Sequence, residues 1–193
     1  MNRRLLVGLF LLQAGALAAQ STSDTPVAVI VAGPQVGERA PDFSLPWSTR
    51  EVTGGDPWFS LSAQRGRVVV VAFYPRDFTS GCTAEMKTFA DQYADLFGED
   101  VAVVGISTDS LATHRRFAEE LGLPFQLLSD PDQVVSKKYG SADPAGYNRR
   151  TVFVLGRDGK VAYDDRRFGA LDPKAYERLK DAVQEARKAG ASH

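Results

Sequence analysis

The sequence predicts an α/β fold with a central mixed sheet flanked by helices, parallel in its first part. Three observations lead there. Val68–Phe73 and Val101–Ile106 are unbroken apolar runs, as expected of strands covered on both faces. Each is followed by apolar residues at helical spacing, and strand–helix alternation builds a parallel sheet. Later, Gly156-Arg157-Asp158-Gly159 separates two apolar runs as a hairpin turn, which adds antiparallel strands.

In chain order, residues 1–18 differ from the rest. Arg3 and Arg4 precede an apolar run, Leu5 to Leu12, and Ala16-Leu17-Ala18 offers small residues for a cut after Ala18. This is the pattern of a secretory signal peptide. The run is shorter than the roughly 20 residues a spanning helix needs, so no stable membrane insertion is expected after processing. A linker is expected over 19–33, in which Val27–Ala32 is apolar and β-branched enough for an extra edge strand. The domain is expected over 34–190. Residues 43–62 alternate at both ends around a turn-rich middle, as in a small hairpin.

After Val68–Phe73 comes a helix with Met86, Phe89, Ala90, Tyr93 and Phe97 on one face. After Val101–Ile106, Asp109 or Ser110 suits a helix cap, and His114, Phe117, Ala118 and Leu121 share the next helix face. Phe125–Leu128 is a third strand. Asp130-Pro131 places a cap before a proline at the first helical position, and a short helix runs to Tyr139. Thr151–Leu155 and Lys160–Tyr163 flank the hairpin turn. A last helix starts at Asp172-Pro173, with Tyr176, Leu179, Val183 and Ala186 inward, and ends near Gly190.

The chain has 193 residues, 44% hydrophobic and 24% charged, which suits one domain with a short extension. A net charge of −1 gives no attraction for nucleic acid or an anionic membrane surface. One cysteine and two histidines argue against a metal site of soft ligands. The leader points to an exported protein, periplasmic in a cell with a bacterial envelope. Exported chains often pair cysteines as staples, and a single cysteine forms no internal disulfide. An odd cysteine in such a chain suggests a reactive thiol or an intermolecular pair.

That cysteine ends the stretch Tyr74-Pro75-Arg76-Asp77-Phe78-Thr79-Ser80-Gly81-Cys82, between the first long strand and its helix. Cys82 therefore falls in a first helical turn. Unpaired N–H groups and the positive end of the helix dipole gather there and favour a thiolate. Such positions lower a cysteine from about 8.5 to roughly 3.5–7.5. Thr79, three residues earlier, suits a hydroxyl beside the sulfur, and Pro75 fixes the chain as it leaves the strand. Small polar neighbours at a loop-to-helix junction predict an accessible sulfur. The competing role is a buried, inert cysteine.

Pro75-x-x-x-Thr79-x-x-Cys82 resembles the active-site signature of the peroxiredoxins. Val36-Gly37-Glu38-Arg39-Ala40-Pro41-Asp42-Phe43, Gly105-Ile106-Ser107-Thr108-Asp109-Ser110, Leu127-Leu128-Ser129-Asp130-Pro131-Asp132 and Arg150 to Gly159 resemble further family segments, in order. The resemblance covers most of residues 34–188. Tyr74-Pro75 and Gly81-Cys82-Thr83 with Glu85 are similar to the bacterioferritin-comigratory or Q subgroup. The resemblance implies a thioredoxin-like fold and a thiol-dependent peroxidase without cofactor. It makes Cys82 the nucleophile that becomes a sulfenic acid, Thr79 a hydroxyl holding thiolate or peroxide, and Pro75 a shield. Arg150 lowers the thiol pKa and stabilises charge moving along the O–O bond. Arg149 competes for that role, but alternation puts the two on opposite faces and the family spacing selects Arg150. Glu85, one turn after Cys82, supports the arginine or is an exposed helix acid. His114 is expected to pack or cap, and Arg76 and Asp77 to be polar loop.

One departure matters. Members of the subgroup often carry a second cysteine five residues after the first, where this chain has Lys87. The implied enzyme then takes a hydroperoxide and needs an external thiol, either a thioredoxin-like protein or a small thiol. It is expected as monomer or dimer. Two other thiol roles compete with this one. Dithiol exchange needs Cys-x-x-Cys, and Glu85 occupies the second position. A peroxide sensor would use the same cysteine without turnover.

Overall fold

The computed structural model describes residues 32–56 and 58–189. The expected leader, the linker through Val31 and the helix end at Gly190 lie outside those residues. The elements are β1 (Ser44–Leu45), β2 (Trp47–Ser48), β3 (Phe59–Ser60), β4 (Val68–Phe73), α1 (Ser80–Asp91), α2 (Tyr93–Leu96), β5 (Val101–Ser107), α3 (Leu111–Leu121), β6 (Gln126–Ser129), α4 (Val134–Lys138), β7 (Thr151–Leu155), β8 (Val161–Asp165) and α5 (Pro173–Ala189).

Six strands form one sheet in the order β2-β6-β5-β4-β7-β8. β4 runs parallel to β5, from Val68↔Val101 to Phe73↔Ile106, and β5 runs parallel to β6. The hairpin β7–β8 then pairs antiparallel on the other side of β4. Side chains of β4 alternate between two cores, as the period of two requires. Val68, Val70, Ala72 and Tyr74 face one side with Phe89, Phe117 and Leu179. Val69, Val71 and Phe73 face the other with Phe43, Phe59, Tyr139 and Phe153. Each such large apolar side chain contributes about 1.5–3 kcal/mol relative to exposure. Gly105 lets α1 and β4 close on β5. A Cβ there would lie 2.8 Å from Leu127 Cδ2 and 3.1 Å from Tyr74 Cε1.

Three local details differ from expectation. The expected single helix after Cys82 breaks at Gln92, whose φ of −110° and ψ of 19° leave the helical region, and α2 follows as one turn. The break still leaves Tyr93 stacked on Phe125, with ring centroids 6.2 Å apart. Pro131 is not the first helical residue. α4 begins at Val134, after Gln133 in a left-handed conformation, φ 53°. Asp130 nevertheless caps it, because Ser136 donates to its carboxylate from both backbone N (2.8 Å) and Oγ (2.7 Å). The hairpin expected over 43–62 exists as the β1–β3 pair, Ser44↔Ser60 and Leu45↔Phe59. Its middle contributes β2, which leaves to pair with β6.

Candidate active site

The site lies at the carboxyl end of β4, where the chain turns into α1. Thr79 is the residue before α1, extended at φ −83° and ψ 147°. Its hydroxyl donates to the Arg76 carbonyl at 3.0 Å, so it braces the loop. Among the described residues no hydrogen bond joins it to the sulfur. Cys82 is the third residue of α1, within the turn whose N–H groups lack intrahelical acceptors.

The sulfur is not accessible as expected: Cys82 is 0% exposed. Helical periodicity explains this. Cys82, Met86 and Phe89 occupy one face, and all three belong to the core against β4. From the solvent side Arg150 covers the residue. Its Nη2 donates to Cys82 Sγ at 3.4 Å. Gly81 leaves the space for that approach, since a Cβ there would lie 3.1 Å from Arg150 Nη2. Pro75 is half-buried at the start of the same loop.

Arg150 precedes β7 and pairs through Nη1 with Glu85 Oε2. Glu85 is not an exposed helix acid. Its side chain is fully buried, and burial pushes its carboxyl up to about 7 against the opposing pull of Arg150. Its second oxygen, Oε1, has no partner among the described residues. Burial works against the Arg150 charge, but Glu85 and Cys82 outweigh it and hold the guanidinium above its ordinary value. Arg149 points elsewhere, to Asp143 at 3.5 Å. Lys87 is exposed and pairs with Asp91 one turn on, at 3.0 Å.

Sequence reasoning missed a second set of residues behind the loop. Asp77, expected as polar loop, is 4% exposed, and His114 is 0% exposed. His114 Nδ1 lies 2.8 Å from Asp77 Oδ2. The Tyr74 hydroxyl donates to Asp77 Oδ1 at 2.7 Å. Burial, and then the Asp77 charge, raise the Tyr74 hydroxyl well above its ordinary value and keep it a donor. One clue was available. A histidine on the apolar face of a helix is buried, and a buried polar group requires a partner.

A mixed sheet with a cysteine in the first turn of the helix leaving its central strand, under an arginine from a distant strand end, defines a thiol enzyme of thioredoxin-like fold. The AhpC/TSA family matches residues 36–164. Peroxiredoxin Bcp of Bacillus subtilis is 31% identical over 157 residues, 76% of this chain and 96% of that protein. Chloroplastic peroxiredoxin Q of Oryza sativa subsp. japonica is 41% identical over 129 residues, 66% of this chain and 57% of that protein's length. The bacterioferritin comigratory protein of Xanthomonas campestris, studied for its alkyl peroxide reduction activity, superposes with a TM-score of 0.65. It is 26% identical, over 75% of this chain and 92% of that one. The chain belongs to the AhpC/TSA family. It is a peroxiredoxin similar to the Bcp/Q type, an oxidoreductase of the thiol-peroxidase class.

Proposed function

We propose that this chain reduces hydrogen peroxide and organic hydroperoxides through Cys82, and that an external thiol returns the sulfur to its reduced state. The observation that carries the assignment of roles is the 3.4 Å contact from Arg150 Nη2 to Cys82 Sγ. A fixed cation beside the nucleophile stabilises charge as it moves from sulfur to the peroxide oxygens. Sulfur attacks one oxygen, an S–O bond forms and the O–O bond breaks. Sulfur loses two electrons, and the leaving oxygen takes a proton and departs as water or an alcohol. The product is a Cys82 sulfenic acid. Pro75 and Thr79 shape the loop over it, and Glu85 orients Arg150.

No second cysteine exists in the sequence to capture the sulfenic acid. A partner thiol therefore attacks the sulfur, water leaves, and a second thiol resolves the mixed disulfide. The positively charged start, apolar run and Ala16-Leu17-Ala18 support export, with the reductant drawn from the same compartment.

The test is to mix reduced protein with one equivalent of hydrogen peroxide and follow intact mass with a dimedone trap. The expected result is rapid adduct formation that Cys82→Ser abolishes and Arg150→Ala slows by about 10²-fold or more. Reaction no faster than a free thiol, and indifferent to Arg150, would overturn the assignment. Fractionation of cells producing the full chain tests export.

A further inference from the structure

We infer that Asp77 and His114 form a buried carboxylate–imidazolium pair that positions the active-site loop for the peroxide reaction. Both ring nitrogens of His114 face acceptors. Nδ1 meets Asp77 Oδ2 at 2.8 Å, and Nε2 meets the Leu128 carbonyl oxygen at 3.1 Å. The Tyr74 hydroxyl also lies 3.4 Å from Nδ1, but it donates to Asp77 Oδ1. A neutral imidazole has one N–H, and this environment asks for two. Asp77 in turn accepts on both oxygens, as an ionised carboxylate does.

The surrounding charges fit that state. Asp109, from the β5–α3 connection, accepts the Asp77 backbone N–H at 2.9 Å and the Ser107 hydroxyl at 2.7 Å. Asp109 is thus engaged by the backbone of the loop and by Ser107, and Asp77 is the carboxylate that meets the imidazole; Tyr74 from the end of β4, Arg76 in the loop and Arg116 on α3 are the other titratable groups nearby. A buried ion pair is weak evidence for net stability, and the role assigned to this one is geometric.

The geometry it fixes is costly. Phe78, between Asp77 and Thr79, has φ 60°, a conformation that residues other than glycine seldom adopt. Its ring packs edge-on to Phe117 at 5.0 Å, and Arg116 sits 5.6 Å above it. His114, Arg116 and Phe117 all belong to α3. One helix therefore holds a strained loop at successive points, and the loop delivers Thr79 to the start of α1 and Cys82 to Arg150. His114 and Asp77 are positioning residues. The role presupposes the peroxidase chemistry above.

The test begins with the wild-type chain labelled with ¹⁵N. The other histidine, His193, is identified with His193→Gln. Both ring nitrogens of His114 are expected to carry protons in the folded protein, because each faces an acceptor. A ring with one N–H would overturn the pair. Next, Asp77→Asn, His114→Gln and the double variant are compared for the rate of Cys82 oxidation by hydrogen peroxide. Each folded single variant is expected to react about tenfold or more slowly, and the double variant no more slowly than the worse single. A wild-type rate in either folded single variant overturns the role. So does an equal slowing in Ser136→Ala at matched thermal destabilisation, since Ser136 lies in a separate buried network. If the variants do not fold, the wild-type spectrum still decides. Failure of the wild-type protein itself to react would instead overturn the peroxidase assignment and leave the charge state of the pair measurable.

Discussion

At the scale of single residues, the site depends on what is missing as much as on what is present. Gly81 leaves room for Arg150. A methyl group there would sit 3.1 Å from Nη2 and crowd the guanidinium, shifting it by a few tenths of an ångström relative to the sulfur. Alanine is also the better helix former, by about 1 kcal/mol. Gly81→Ala should therefore raise or preserve the thermal midpoint while slowing Cys82 oxidation, a divergence that calorimetry and stopped-flow kinetics together would detect. Glu85 makes a prediction in pH. Its carboxyl is raised to about 7 in the folded chain from an ordinary value near 4.5. The folded state thus binds more protons than the unfolded state between those two values. Stability is greatest below the unfolded value and falls as pH rises to about 7, by on the order of 2–3 kcal/mol. Glu85→Gln should flatten that slope in urea titrations run at several pH values. The same burial was not legible from the sequence. Glu85 occupies a helix position that also suits a solvated acid, and its partner Arg150 lies 65 residues away.

At the scale of elements, the chain was easier to read. Continuous apolar runs identified β4 and β5, because strands buried on both faces have no polar side to display. Ser110 caps α3 as its type and position suggested, with Thr113 N donating to its hydroxyl at 3.2 Å. Ser110→Ala should lower stability by about 1 kcal/mol without changing the rate at Cys82, measured by denaturant midpoint and peroxide kinetics. Gly105 sets the contact between β5, β4 and α1. Gly105→Ala would force a Cβ against Leu127 and Tyr74, and overpacking of this kind costs about 1–3 kcal/mol. A fall in thermal midpoint with loss of activity is expected, since Tyr74 also holds Asp77. What periodicity did not reveal was the start of α4, because the Asp130 carboxylate reaches across a turn to cap it. Nor did it reveal the Asp77–His114 contact, 37 residues apart in sequence. Local patterns predict elements well and say little about which loop meets which helix face.

At the scale of the whole molecule, a single cysteine sets the stoichiometry. With peroxide and no thiol, the intact mass should increase by one oxygen per chain and then by further oxygens as the sulfur climbs to sulfinic acid. Loss of two hydrogens within one chain would contradict this scheme. Steady turnover should begin only when a thiol is added. The enclosed sulfur has a further consequence, in who can reach it. Cys82 presents no surface even to water. An oxidant little larger than water is expected to need only a small shift of the Arg150 side chain that lies on the sulfur. A thiol carried on a protein is far bulkier and is expected to need a larger local opening around Cys82. Oxidation and recycling are then expected to make different demands on the fold around Cys82, the second depending more on local opening. Mild urea, below any global transition, should speed reduction of oxidised Cys82 by a protein thiol. It should slow the encounter with peroxide, which depends on Arg150 staying in place.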